Sequence, residues 1–499
     1  MIRSIRTLAL AIFAAPLASL AAQGAGAPAC PVDLLTPQQV GIAYLQRGKV
    51  VGAKTPDEAS KGIKEAMKGL FDDKAKVNIP GRDYLLAQFY ILAAEYGDVQ
   101  TRGTLGIPGD KAASVDLITG ADSLFQMVEK AQPTCAAEIA QWREYKPYQT
   151  YVQAAYKAIA ANNTDSADKM VRRAQLLSKS GPQTYDVLWR IAQKRGDEAG
   201  MVTNLSAAIE KLAADTSNAN VRSNFMFNLG RIQQEFGDKK TGADKMAAYK
   251  NAAKAYMGVL REYPGSAEAP FAVSAISNLS MIASDTAMGL QAVEAVKAAV
   301  GKFNDMALAS AGVLATRSGK TADAVTMFEA ATKINPYSRD YLYNLAAMMY
   351  EAKRSAEMMP VVQRLVAMDP SNSENVMLFA FAFKGLSDNE KDAAAKKKLV
   401  DSVATYSKLA DDMNAVHKVV YTELDRGAEA TTVRGQIENH GKAARSFTLE
   451  FELIGKDGAV LGKQSVPVAS VAAGGVGDFV LESKIGGVLG VRYAALPLK

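Results

Sequence analysis

His417, His440, Cys30 and Cys135 are the whole supply of histidine and cysteine in this chain of 499 residues. Histidine is the usual general base near neutral pH, and with cysteine it is the usual ligand of zinc. Four such side chains spread over the sequence form no HExxH, CxxC or GxSxG constellation, and no DxDxDG calcium loop occurs. Carboxylates are the remaining resource. Asp72-Asp73 and Asp411-Asp412 are adjacent pairs, but neighbours on a helix point about 100° apart. Both pairs fall at expected helix ends, where an acid caps the backbone or meets the positive end of the dipole. His440, in a strand-to-turn joint, and His417, in the segment leading to it, read as polar surface. The inventory predicts no catalytic residue, no metal and no cofactor, and hence no enzyme. The alternative is a hydrolase whose carboxylates meet across helices in a cleft.

Two other clusters invite a binding role. Trp142, Tyr145, Tyr148, Tyr151 and Tyr156 bring several rings toward one side of a helical stretch. They serve either interhelical packing or, if exposed, recognition of a peptide or a glycan such as peptidoglycan. Lys396, Lys397 and Lys398 are the densest basic run, but they sit in a polar helix and lack interleaved aromatics, so they predict a solvated face and no nucleic-acid partner. Of the formal charge of +6, two units belong to Arg3 and Arg6 near the N-terminus.

Those arginines precede an uncharged apolar run, Leu8 to Leu20, and then small residues, which is the layout of a secretory signal peptide over 1–22. The run is shorter than a bilayer span, and no later stretch approaches one, so the mature chain is expected to have no transmembrane segment and to reside in a periplasm or outside the cell. Residues 23–35 read as a flexible mature N-terminus. In an oxidising compartment Cys30 and Cys135 are expected to form one bridge, with two inert thiols as the alternative.

The elements that would position any site are mostly helices. From 36 to 410, large apolar residues recur three or four apart, and segments such as 82–98, 183–197 and 222–238 close on Gly-Asp, a stop signal. The stretch 99–114, with scattered glycines, reads as a surface loop. The clearest repetition lies between 305 and 370. One unit has Ala311 and Gly312 in its first helix, Gly319 in the turn, Ala324, Phe328 and Ala331 on the inner face of its second helix, and Pro336 at the exit. The next ends at Pro370, 34 residues later. This unit resembles the tetratricopeptide repeat family. The second copy keeps Leu345, Ala346 and Pro370 but offers Met358, Val362 and Leu365 on its inner helix and places Pro360 within it. A weaker copy aligns through Leu229, Gly230 and Gly237, its second helix arriving late. Residues 36–180 read as divergent helical hairpins and 181–410 as the repeats. The resemblance implies a concave face, lined by first helices, that holds a peptide or partner protein. Asn224, Asn228, Arg231, Tyr341 and Asn344 are the candidate lining residues.

Beyond 411 the period drops to two. Strands are expected at 431–439, 446–455, 459–468, 476–483 and 490–498, with Phe447, Leu449, Phe451 and Leu453 buried and a hairpin turn at Lys456-Asp457-Gly458. Short antiparallel strands in this number close most simply as a two-sheet sandwich. Val433 and Gly435, Asn439, the Phe451-Glu452-Leu453 strand, Gly458 and Phe479 resemble a small immunoglobulin-like module of exported bacterial proteins, built around a Phe-x-Leu-Tyr-Asp strand. The expected fold is therefore mainly α, a repeat solenoid followed by a small all-β sandwich, and the expected function is that of an exported protein-binding scaffold.

Overall fold

The computed structural model describes residues 30, 38–71, 79–178, 181–213 and 218–498. The leader expected over 1–22, residues 23–35 apart from Cys30, and Asp72-Asp73 lie outside the described residues. The chain divides into two compact units, 1–201 and 202–499.

In the first unit, helices α1 (Gln38–Val51), α2 (Pro56–Leu70) and α3 (Ile79–Ala94) precede a short excursion. Strand β1 (Val99–Thr101), a single helical turn α4 (Arg102–Leu105) and strand β2 (Ser114–Asp116) make an antiparallel ribbon, with Val99 opposite Asp116. The stretch expected to be a loop is thus ordered: Leu105 and Ile107 are buried beneath it, and Thr101 and Thr104 cap the helical turn reciprocally. Helices α5 (Leu117–Ala131), α6 (Ala136–Arg143), α7 (Lys146–Ala160), α8 (Thr164–Leu177) and α9 (Pro182–Arg195) complete the unit. Cys30 and Cys135 are joined in this structure, with their Cα atoms 4.5 Å apart, and both are buried in the core around α3 and α5. Such a closure constrains the unfolded chain over 105 residues of separation. Reducing it is expected to destabilise this unit by roughly 2–4 kcal/mol. Urea denaturation with and without reductant checks this, and identical transitions would show that the bond does not constrain the fold.

Helix α10 (Glu198–Lys211) contains the division between the units. In the second unit, helices alternate between two layers. The first layer holds α11 (Ala219–Asp238) and α13 (Ala269–Ile282), and the second holds α12 (Gly242–Glu262) and α14 (Thr286–Ala298). Three further hairpins follow: α15 (Asp305–Arg317) with α16 (Thr321–Ile334), α17 (Arg339–Glu351) with α18 (Ser355–Met368), and α19 (Ser373–Asn389) with α20 (Ala393–Asn414). The starts of α15, α17 and α19 are 34 residues apart each time. This is a repeat-like helical array in which α13 lies beside α15, α17 beside α19, and α12 beside α14.

The close approach within a hairpin has a visible cause. A Cβ on Gly312 would meet the Phe328 ring at 2.8 Å, so the ring of α16 lies directly on the α15 backbone. Ala311, Ala324, Phe328 and Ala331 are all buried. In the next repeat Met358, Val362 and Leu365 bury the equivalent surface, and α18 continues through Pro360 with only that residue's amide missing from its ladder. The Gly237-Asp238 pair closes its helix as its sequence suggests. Helix α11 ends at Asp238, and Gly237 in its last turn also admits the Tyr249 ring. The late second helix upstream is explained by longer helices, of 20 and 21 residues, and not by a longer turn.

The β region contains one strand more than the sequence pattern suggests. Strand β3 (His417–Arg426) pairs with β4 (Thr431–Asn439), which pairs with β7 (Val476–Ser483). The second sheet has β5 (Arg445–Ile454) between β6 (Val460–Val471) and β8 (Gly490–Tyr493). Phe447, Leu449, Phe451 and Leu453 face inward against Val433, Ile437, Phe479 and Leu481. The two sheets form a small antiparallel sandwich. Asn439 is fully buried, and its amide donates to the carbonyls of Ala443, Val471 and Ala472, tying the β4 exit to the turn before β7.

His417 corrects the surface reading. It is fully buried where α20 hands over to β3, its ring packs edge-on against Phe447 with 5.9 Å between ring centroids, and neither ring nitrogen has a partner. Burial, with repulsion from Arg445 and then His440, pushes its imidazole from 6.5 down to about 4. The folded state therefore holds it neutral while the unfolded chain takes up a proton below pH 6.5. Its stabilising effect is full above that value and is lost as pH falls toward 4, by up to about 3 kcal/mol. Denaturation of wild type and His417→Phe between pH 7.5 and 4.5 checks this: the variant is expected to lose less stability across the window, and equal losses would refute it. His440 is exposed, as the surface reading expects, and bonds the Asn414 carbonyl and Glu438.

Candidate partner-binding face and the sandwich joint

The candidate lining residues fall into two places in the second unit. Asn224, Asn228 and Arg231 share one stripe of α11. The Asn228 amide donates to the Asn224 side chain at 2.8 Å, Asn224 reaches Glu268 at 3.3 Å, and Arg231 pairs with Glu235. This stripe is polar, and its side chains are engaged locally. Tyr341 belongs elsewhere: its hydroxyl donates to Asp305 at 3.3 Å, and burial together with that carboxylate holds its phenol above the usual range. Asn344 is half-buried one turn further along α17.

Beside the polar stripe lies an apolar row that sequence reading did not single out. Phe227 of α11 meets Phe271 of α13 at 6.3 Å between ring centroids, and Phe271 remains 57% exposed. The Ser274 hydroxyl reaches Ser310 of α15 at 3.4 Å, bringing α13 and α15 side by side, and Met306, in the first turn of α15, is 44% exposed. Met281 and Ile282 at the far end of α13 and Phe381 of α19 are also exposed. The signal was available: each is a large apolar residue on a first-layer helix, outside the positions that the repeat uses for its core. Between α12 and α14 of the other layer is an open groove of about 600 Å³ lined by Leu260, Arg261, Leu290, Glu294 and Ala298.

Two successive repeats are gripped by the sandwich at equivalent positions. At the first, Arg426 from the end of β3 pairs with Asp305 at 3.0 Å, and the Asn335 amide donates to the Leu489 carbonyl at 2.8 Å. At the second, 34 residues on, Asp369 takes the place of Asn335. Asp369 has no exposed surface, and it accepts from Arg339 at 2.6 Å, Asn375 at 2.9 Å, Asn372 at 3.2 Å and the Tyr493 hydroxyl at 2.5 Å. The Arg339 guanidinium lies over the Tyr421 ring at 4.9 Å, and the Leu496 amide donates to Ser371 at 2.8 Å. Burial raises the phenols of Tyr421 and Tyr493 well above their ordinary range, so both stay protonated. Gly490 makes the approach feasible, since a Cβ there would strike the Tyr337 carbonyl oxygen at 2.0 Å. Ile454 of β5 joins the helical core.

The remaining clusters are structural. In the first unit, Trp142, Tyr148 and Tyr151 are buried, and Tyr145 and Tyr156 are half-buried. Tyr156 donates to Asp186 at 2.7 Å. Asp411 and Asp412 are exposed at the end of α20, where Lys408 pairs with Asp412, and Lys396, Lys397 and Lys398 are exposed near its start. Among the described residues no group of three or more His, Cys, Asp or Glu side chains is arranged to hold a metal ion, and no helix is long and apolar enough to cross a membrane.

No protein-family model matches the sequence, and no curated protein matches it. Among solved structures the chain is similar to pilF of Pseudomonas aeruginosa, with 16% identity, 52% of this chain and 88% of that chain covered, and a TM-score of 0.21. It is similar to a tetratricopeptide repeat protein of Parabacteroides merdae at 14% identity, covering 52% and 99% of the two chains, with a TM-score of 0.24. A thermophilic protein of the same repeat type from Thermus thermophilus shares 14% identity over 40% of this chain and 98% of its own, with a TM-score of 0.23.

Proposed function

We propose that this chain is an exported, non-enzymatic scaffold that holds a peptide segment of an envelope protein against the first-layer helices of its second unit. The observation that carries the reading is the apolar row from Phe227 through Phe271 toward Met306, on helices whose other faces are consumed by the core. Exposed aromatic and methionine side chains on a rigid helical support fit apolar anchors of a partner and adapt to them. The leader-like segment over 1–22 and the Cys30–Cys135 pair support an oxidising compartment outside the cytoplasm. A glycan-binding reading needs exposed rings around 142–156, and there Trp142, Tyr148 and Tyr151 are buried and Tyr145 and Tyr156 half-buried.

Site-specific photocrosslinkers at Phe271 and Met306, compared with one at Leu290 in the second layer, test this in the intact envelope. Adducts with one envelope protein are expected from the first two positions and not from the third. Adducts from Leu290 alone would place the partner on the opposite layer and overturn the reading.

A further inference from the structure

The sandwich has four sheet edges, and three of them are spoken for. Strand β3 faces the helices through Lys418–Glu374 and Arg426–Asp305, and β8 does so through Tyr493–Asp369. Strand β6 carries Pro467 and a left-handed Ser470 at φ 56°, both of which spoil a template for pairing. Strand β7 has no such protection. It pairs only with β4, in unbroken register from Val476 to Ser483, and contains no proline, lysine or bulge.

The register also shows which groups are free. The Asn439 amide donates to the Gly475 carbonyl at 2.9 Å, which makes the odd-numbered residues of β7 the ones that bond to β4. The amides and carbonyls of Val476, Asp478, Val480 and Glu482 therefore point to the open edge. Their side chains lie on the outward face, where Val476 and Val480 are 57% and 43% exposed. The same face is acidic although the whole chain carries a formal +6. Its rows contain five acids, Asp425, Glu423, Glu438, Asp478 and Glu482, against two cations, Arg434 and Lys418. Arg434 pairs with Glu423 at 3.2 Å and reaches Glu482 at 3.8 Å, Lys418 is paired with Glu374, and Asp478 accepts from the Gln436 amide at 2.9 Å.

We propose that the β7 edge is a second interaction surface, which accepts an extended basic segment of another polypeptide as an added antiparallel strand. Main-chain hydrogen bonds supply the affinity, and the acids select lysine or arginine at alternate positions. The acids also disfavour a second copy of this chain: two β7 strands laid antiparallel set Asp478 of one directly or diagonally against Asp478 or Glu482 of the other.

The test is fluorescence anisotropy with a labelled peptide of about eight residues alternating lysine and valine, the length of a typical strand, titrated with the full chain. The matching glutamate–valine peptide is the control. Wild type is expected to bind the basic peptide and not the acidic one, with affinity falling as salt rises. Val480→Pro, which removes an outward amide and leaves the β4 ladder intact, and the double variant Asp478→Lys/Glu482→Lys are each expected to weaken binding roughly tenfold or more. Phe271→Ala/Met306→Ala is expected to leave it unchanged, which separates this surface from the helical face. Melting curves confirm folding, and should Val480→Pro not fold, the charge-reversal variant decides. Full binding by the charge-reversal variant, equal binding of both peptides, or a wild-type dimer in sedimentation that Val480→Pro dissolves would each overturn the proposal.

Discussion

Asp369→Ala is expected to be among the most damaging single substitutions in the second unit, costing roughly 3–5 kcal/mol. The wild-type carboxylate is fully buried and satisfies Arg339, Asn372, Asn375 and Tyr493 together. Removing it leaves the buried Tyr493 hydroxyl without its acceptor and Arg339 with Asp340 alone, in the joint between the repeats and the sandwich. Tyr493→Phe removes one donor to Asp369 and the acceptor of the Ser371 amide, leaves the carboxylate its other partners, and is expected to cost less, about 1–2 kcal/mol. Urea denaturation of the three proteins checks both values. If Asp369→Ala unfolds within 1 kcal/mol of wild type, about the worth of one ordinary hydrogen bond, the joint is not cooperative with the fold.

The second large effect is expected inside a repeat. Phe328→Ala should cost about 3–5 kcal/mol, because the ring is buried against the Gly312 backbone and a cavity remains when it is removed. The loss should extend to α17 and α18, since stacked repeats share interfaces. Hydrogen exchange resolved by segment, alongside denaturant melts, reads both the size and the spread. An unchanged melt would remove Phe328 from the core that holds the hairpin together.

Much of this architecture was legible because the relevant positions repeat. The spacing of Pro336 and Pro370, and the small residues Ala311, Gly312, Ala324 and Ala331, mark the repeats, and the helices do start at intervals of 34 residues. Strands β4 and β7 were readable to the residue, because each has one face in the core and one in solvent, so their side chains alternate. Strand β3 was not. It lies against helices at both ends, carries an irregularity between Tyr421 and Glu423, and so loses the two-residue period that marks a half-wet strand. His417 was misplaced for the same reason, since nothing in its local sequence reports a cover supplied by Phe447.

The candidate face was less legible than the fold. Polar residues on first helices were natural choices, yet Tyr341 is drawn toward Asp305 by a strand far away in sequence. Phe271 and Met306 read as ordinary apolar positions until the core is known to be complete without them.

The joint at Asp369 also imposes an order on the making of the protein. Tyr493, which donates to that carboxylate, is synthesised 124 residues after it. Domains form from the N-terminal side while the chain is still growing. During that interval Asp369 can already accept from Arg339, Asn372 and Asn375 within its own repeats, while its fourth donor and the cover that β8 supplies are still to be made. A chain interrupted before β8 is therefore expected to open more readily at its last repeats than the finished one, and to be cut there sooner in limited proteolysis.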